Sequence, residues 1–133
     1  MSSFGIHTRF TGAFDAAVSK VTEALANEGF GVLTEIDVQS TLKKKLGIDF
    51  RRYKILGACN PPFARRALEA DLTVGLLLPC NVVVYEEDGG NVHVAAIDPM
   101  DTIAGRSDPA LSAVASEVRE RLERVIARVG AAA

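Results

Sequence analysis

The sequence predicts an α+β fold with two layers, in which a mainly antiparallel sheet of about five strands carries two long helices on one face. Clean alternation of apolar and polar residues at 3–10 indicates a strand with one covered face. The run Glu87–Asn91 is a strong hairpin signal. Two long segments with apolar residues at helical spacing supply the second layer, and two short helices are predicted in the connections.

In the first strand, one side is formed by Phe4, Ile6, Thr8 and Phe10. A long helix follows from Thr11, and Gly29 suits its C-terminal cap. The next strand is predicted at 31–36. Asp37 then suits the N-cap of a short helix, and Gly47 is predicted to end it. Three lysines lie in the last turn of this helix, where the helix dipole favours cations.

A third strand at about 52–58 leads to Cys59. Asn60 is a good N-cap residue and proline suits the first helical position, so a short helix is predicted from Pro61 to about Ala70. The nearly apolar run 74–85 contains Pro79, which has no amide hydrogen and marks an edge, a bulge or the approach to a strand beginning near Cys80.

The hairpin signal joins strands at 82–86 and 92–97, and Asp98-Pro99 closes the second of them. Asp108 and Pro109 begin the last helix by the same logic of a cap followed by proline, and Gly130 is predicted to end it. We expect a single domain over residues 1–130, with the alanines at 131–133 forming a disordered tail.

The composition is that of an ordinary globular protein, with 48% hydrophobic and 24% charged residues. No continuous apolar span and no signal or transit peptide stand out, so we expect a cytoplasmic protein with no membrane partner. Thiols are normally kept reduced there. A structural disulfide between Cys59 and Cys80 is therefore not expected.

Positive charge is concentrated at residues 43–66, which hold eight cations and one anion within a chain of net charge −2. Such a block can attract an anionic partner, or its members can be solvated residues on the outside of helices and strands. We expect no exposed aromatic residues interleaved with the cations, and no nucleic-acid-binding motif is found, so a nucleic-acid partner is not expected.

Two segments carry a resemblance: Tyr-Lys-Ile-Leu-Gly-Ala-Cys-Asn-Pro at 53–61, and Gly-Leu-Leu-Leu-Pro-Cys-Asn-Val-Val-Val-Tyr-Glu at 75–86. Together with Ala67-Leu68, they resemble the bacterial and archaeal family called domain of unknown function 302, and the similarity covers nearly the whole chain. The resemblance implies a strand-helix-four-strand-helix layout like that of TATA-box-binding-protein halves, and often a homodimer. It implies no established reaction, ligand or catalytic residue.

Cys59 is the candidate catalytic residue. If Asn60 caps a helix that starts at Pro61, the Cys59 sulfur lies beside the N-terminus of that helix, where free amides and the dipole favour a thiolate. A thiolate is what a nucleophile or redox thiol requires. The competing interpretation is a small buried hydrophobic residue, since free cysteine is among the most buried residue types.

Cysteine followed by asparagine occurs a second time, at Cys80-Asn81. If the third and fourth strands are antiparallel neighbours, the two Cys-Asn pairs lie at the same edge of the sheet, whereas a parallel pair would separate them. Cys59, Asn60, Cys80 and Asn81 are therefore the candidate ligand-binding residues. The competing interpretation of the asparagines is structural, with Asn60 capping its helix and Asn81 closing a turn.

Other constellations carry less chemistry. A soft-metal set of both cysteines with His93 and Met100 rests on residue types alone, and we expect neither a native metal site nor a cofactor. His7 and His93 are interpreted as isolated residues, one on the surface and one hydrogen-bonded within the sheet.

These observations lead to a homodimeric small-ligand-binding or interaction module. One alternative is a thiol-dependent redox or transfer enzyme that uses Cys59. Another is a binder of an anionic partner through the basic segment 43–66.

Overall fold

A computed structural model describes residues 4–104 and 108–131 of the chain. The strands are β1 (Ile6–Phe10), β2 (Gly31–Asp37), β3 (Tyr53–Cys59), β4 (Cys80–Glu86) and β5 (Val92–Ala96). The α-helices are α1 (Phe14–Asn27), α2 (Val38–Leu46), α3 (Pro61–Ala70) and α4 (Pro109–Ala131), and short 3₁₀ helices cover Leu72–Leu77 and Pro99–Asp101. Among the described ranges, no helix is long and apolar enough to cross a membrane.

The five strands form one sheet in the order β1-β5-β4-β3-β2, and every neighbouring pair is antiparallel. The hairpin predicted around Glu87–Asn91 joins β4 to β5, and the backbone N–H of Glu87 donates to the carbonyl of Asn91 at 2.8 Å. The predicted α+β class with a five-stranded antiparallel sheet packed against helices is confirmed.

One face of the sheet is closed by α1, α3 and α4. Strand residues on this face, such as Leu56, Val82, Val84 and Val94, are completely buried, and the apolar stripes of α1 and α4 pack on them. The short helix α3 joins this layer through Phe63 and Ala67. The helical layer therefore holds three helices rather than the two long ones that the sequence predicts.

The other face of the sheet is less buried, and we call it the open face. Its central members, at alternate positions of β3, β4 and β5, are only half-buried: Tyr53, Ile55, Val83, Tyr85, His93 and Ala95. The tyrosine rings stack with their centroids 5.1 Å apart, and the His93 ring stacks on Tyr85 at 5.0 Å. Helix α2 has no buried residue at all.

Most element ends are where the sequence predicts them. The Asp37 side chain accepts from the backbone N–H of Ser40 at 3.0 Å, and Gly47 ends α2 in the left-handed conformation. The carboxylate of Asp108 accepts from the N–H of Ala110 at 2.8 Å at the start of α4. Gly29 follows α1 with a φ of 85°, which explains why glycine stands there.

Gly130 does not end the last helix, so that prediction is wrong. Helix α4 continues through Ala131, and residues 132 and 133 of the predicted tail lie outside the described ranges. A Cβ atom at Gly130 would overlap the hydroxyl of Thr8 on β1. This glycine therefore serves the close approach of helix and strand and not a helix stop.

The first strand is shorter than predicted. It begins at Ile6 because Gly5 adopts a φ of 90°, which interrupts the extended backbone, and the Phe4 side chain is left mostly exposed. Ser3, which the prediction included, lies outside the described ranges. The 3₁₀ helix Leu72–Leu77 was not predicted, since its apolar run has no helical periodicity long enough to distinguish it from a strand.

Candidate functional site

The antiparallel pairing of β3 with β4 brings the two Cys-Asn pairs to the same end of these strands. Gly57 lies opposite Asn81, and Ala58 lies opposite Cys80. Of the two strand arrangements considered from the sequence, the one that joins the pairs is therefore the one observed. The peptide bond between Leu78 and Pro79, which leads into β4, is cis.

A cavity of about 360 Å³ lies at this junction, between helices α3 and α4 and the ends of β3 and β4. Its helical wall is formed by Phe63, Ala67, Val114 and Val118. No residue lining it is charged; its side chains with a polar atom belong to Thr34, Cys59, Asn60 and Cys80. Because native interiors are otherwise closely packed, an apolar space of this size is a candidate binding site.

Strand β2 forms one rim of the cavity. The register between β2 and β3 shifts between Val32 and Thr34, which leaves Leu33 without a cross-strand partner and 69% exposed while it still lines the cavity. The 3₁₀ helix Leu72–Leu77 adds two exposed leucines nearby. Leu72 and Leu76 are 84% and 88% exposed, and Gly75 between them also lines the cavity. The surroundings of the rim are therefore apolar.

Cys80 is the buried thiol of the site, with only 7% of the residue exposed. Burial first, and the neighbouring Cys59 second, raise the pKa of Cys80 to about 11. Its thiol consequently stays protonated at neutral pH. In this state it acts as a small hydrophobic group with a weak hydrogen-bond donor.

Cys59 is half-buried and lines the same cavity, and both cysteines are free thiols. It is the last residue of β3 and directly precedes the N-terminus of α3, as predicted. However, the first two helical positions are occupied by Pro61 and Pro62. Proline has no N–H, so two of the amide donors invoked to favour a thiolate are missing.

Asn60 holds the N-cap position of α3, but its side chain does not cap the helix, so the predicted capping bond is wrong. The side-chain Nδ2 instead donates to the backbone carbonyl of Glu28 at 3.1 Å, just beyond α1. The same carbonyl accepts from Nη1 of Arg121 at 3.1 Å. Asn60 thus joins the ends of two helices, and it is only 7% exposed.

Asn81 does not line the cavity. It is exposed, and its backbone carbonyl accepts from the N–H of Ile97 at 3.0 Å. Three of the four candidate ligand-binding residues, Cys59, Asn60 and Cys80, are therefore brought together around one space, and the fourth lies outside it.

The two histidines are not isolated. His7 Nδ1 and His93 Nε2 share a hydrogen bond of 2.8 Å on the open face, between β1 and β5. His93 Nδ1 lies 3.2 Å from Oε2 of Glu87, whose Oε1 accepts from Nε of Arg9 at 3.0 Å. The sequence offered one signal for this pair, because both histidines alternate to the same face once β1 and β5 are neighbours.

The soft-metal set considered from the sequence is not assembled. Cys59 and Cys80 line the cavity, but His93 lies on the open face and Met100 is exposed on the 3₁₀ helix that follows β5. In the part of the chain that the structure describes, no three histidine, cysteine, aspartate or glutamate side chains are grouped to hold a metal ion.

Most cations of the basic segment have acidic neighbours. Six of the eight form ion pairs, namely Lys43–Asp49, Arg51–Asp88, Arg52–Asp15, Lys54–Glu35, Arg65–Glu69 and Arg66–Glu117. Five of these acids come from outside residues 43–66. Folding therefore offsets much of the positive charge that the sequence concentrates there.

Sequence reasoning missed the helical wall of the site. Phe63, Ala67, Val114 and Val118 are apolar helical positions, and such positions look the same in the sequence whether they pack tightly or border a cavity. Only the positions of α3 and α4 relative to the strand ends distinguish the two.

The described residues define a small α+β domain with an apolar, thiol-lined cavity between its helical layer and one end of its sheet. A family model described as "Domain of unknown function DUF302" matches residues 6–129, and the chain belongs to this family. It is similar to a crystal structure of an uncharacterized conserved DUF302 protein from Bacillus stearothermophilus, with 33% identity and a TM-score of 0.87 over 96% of this chain and 99% of that one. No curated protein matches the chain.

Proposed function

We propose that the protein binds a small, largely apolar molecule in the cavity beside Cys59 and Cys80. The observation that carries this proposal is the cavity itself, about 360 Å³ of space lined without a single charged side chain. Binding pockets for small molecules are of this size and are mostly apolar with a few polar groups. The leucines near the rim, Leu33, Leu72 and Leu76, keep the surroundings of the cavity apolar as well.

The proposal is tested with p-xylene as the probe, followed by ¹H–¹⁵N NMR. Residues of α3 and α4 that line the cavity should shift in a saturable manner. Ala67→Leu, which fills the cavity from α3, should abolish these shifts without unfolding the protein. The matched control is Ala16→Leu on the exposed side of α1, which should bind normally. Shifts that are absent, or that survive Ala67→Leu unchanged, would contradict the proposal.

We also propose that the protein is a homodimer, with β2, α2 and the following segment as the interface to a second copy. Helix α2 has no buried residue, and Leu46, Ile48 and Phe50 beside it are 66%, 45% and 40% exposed. Strand β2 is an edge strand, and two copies of such a strand can pair about a two-fold axis with the same patch on both sides.

Sedimentation of the protein at micromolar concentration tests the dimer. The expected mass is that of two chains, and Leu46→Lys should reduce it to one. Leu76→Lys is the control, because Leu76 is exposed but lies on the 3₁₀ helix that precedes β4. A wild-type mass of one chain would contradict this proposal and leave the cavity untouched.

The two alternatives have less support. A thiol-dependent enzyme would use Cys59 within the same cavity, but Cys59 makes no hydrogen bond to a histidine or carboxylate of the described residues that could act as its base. For an anionic partner, Lys44 and Lys45 are the cations of the basic segment that form no ion pair with described residues. A cytoplasmic location is consistent with the two free thiols.

A further inference from the structure

Asn60 lines the cavity and carries a hydrogen-bond acceptor that has no partner among the described residues. Its Nδ2 is identified by the bond to the Glu28 carbonyl, since only the amide nitrogen can donate to a carbonyl oxygen. The remaining atom, Oδ1, accepts no hydrogen bond from any described residue, although 93% of Asn60 is buried. Such an acceptor is unusual, because buried polar side chains are normally satisfied.

The sequence explains why this oxygen is free. An asparagine at the N-cap usually accepts from the N–H of the second or third helical residue. Here the second helical residue is Pro62, which has no N–H, and no capping bond to the third residue forms. The bond to Glu28 holds the amide away from the usual capping position.

The free oxygen borders accessible space. Among the described residues, every side-chain nitrogen and oxygen atom that is sealed from solvent has a hydrogen-bond partner. Oδ1 has none, so it is not sealed, and Asn60 is one of the residues that line the cavity. An unpaired acceptor beside an apolar space is the arrangement with which a site selects a ligand that carries one donor.

We infer that the ligand is a neutral apolar molecule with a hydroxyl group, such as a phenol or an alcohol, whose O–H donates to Oδ1 of Asn60. This inference rests on the cavity being the ligand site. A charged donor is disfavoured, because no charged side chain lines the cavity to compensate it. The hydroxyl oxygen can in turn accept from a protonated thiol, and Cys80 in the same lining stays protonated at neutral pH.

The test compares 4-methylphenol with p-xylene, which differ by a hydroxyl in place of a methyl group. Both dissociation constants are measured by NMR titration on the wild type and on Asn60→Leu. Asn60→Leu keeps the side-chain size and leaves the Glu28 carbonyl its bond from Arg121. We expect 4-methylphenol to lose about three- to tenfold more affinity than p-xylene, the usual contribution of one neutral hydrogen bond.

Thr34→Val is the matched control, because it removes the other uncharged side-chain oxygen of the lining. It should leave the affinity ratio of the two compounds unchanged. A second readout needs no variant: the side-chain carbonyl ¹³C resonance of Asn60 should move downfield on addition of 4-methylphenol and stay in place with p-xylene.

The outcomes separate the two proposals. If both compounds bind but Asn60→Leu leaves their ratio unchanged, or the carbonyl resonance does not move, the hydroxyl inference is overturned and the cavity remains a binding site. If neither compound binds the wild type, the binding proposal itself fails.

Discussion

The same dipeptide, Cys-Asn, occurs twice at one end of the sheet, and the two copies have opposite burial. At Cys80-Asn81 the cysteine is buried and the asparagine exposed. At Cys59-Asn60 the cysteine is half-buried and the asparagine is buried. Identical residues therefore carry different chemistry here: one pair offers a protonated thiol, and the other offers a thiol near solvent together with a free amide oxygen.

Strand geometry explains the difference. Cys80 is the first residue of β4, so it points to the helical face and the next residue points away, as alternation requires. Cys59 is the last residue of β3, and the chain turns from there into α3. The turn places Asn60 between α1 and α3, where it bonds to the carbonyl of Glu28. The burial of the two side chains in a Cys-Asn pair therefore depends on whether the pair starts a strand or ends one.

The largest expected contrast is in thiol reactivity. Because burial raises the pKa of Cys80 from about 9 to about 11, the thiol should be alkylated about 100-fold more slowly than a free cysteine at neutral pH, and its restricted access slows the reaction further. Iodoacetamide labelling followed by mass spectrometry should modify Cys59 alone in the folded protein. Labelling of both thiols at similar rates would remove the proposed contrast.

A smaller effect is expected in the pH dependence of stability. Because the pKa of Cys80 is raised in the folded state, the unfolded chain releases this proton first, so the free energy of unfolding should fall as pH rises from about 9 to about 11. The loss from this group is on the order of 2 to 3 kcal/mol.

Urea unfolding at several pH values measures this loss, and the comparison with Cys80→Ala cancels the titration of other groups. The variant should lack this part of the decline, whereas Cys59→Ala should retain it. If the free energy of unfolding fell with pH equally in the wild type and in Cys80→Ala, burial would not raise the pKa of Cys80.

The smallest effect concerns the two asparagines. Asn60→Ala should lower the free energy of unfolding by about 1 to 3 kcal/mol, because a buried side chain and its bond to Glu28 are lost. Asn81→Ala, at an exposed side chain, should change it by less than about 0.5 kcal/mol. Thermal and urea unfolding measure both changes. Equal losses in free energy of unfolding for Asn60→Ala and Asn81→Ala would contradict the difference in burial.

Signals that act within one element were readable from the sequence. Asp37, Gly47 and Asp108 mark helix ends as predicted, since caps depend on the few residues around them. The Glu87–Asn91 turn fixed the β4–β5 pairing for the same reason.

Features that depend on contacts between distant elements were not readable. Gly130 packs closely against Thr8, Asn60 donates a hydrogen bond to Glu28, and His7 shares one with His93. The members of each pair are more than 30 residues apart along the chain. The cavity belongs to this class, because its walls come from β2, β3, α3, β4 and α4. The sequence indicated the two cysteines and Asn60 as candidate residues, but not the space between them.

A crystal of the protein pressurised with xenon tests the central claim most directly, because xenon enters dry apolar cavities and is located by its anomalous scattering. A site between Phe63, Ala67 and Val114, with occupancy abolished by Ala67→Leu, is the predicted result. A wild-type crystal with no xenon in this space, or with the space filled by side chains, would contradict the account.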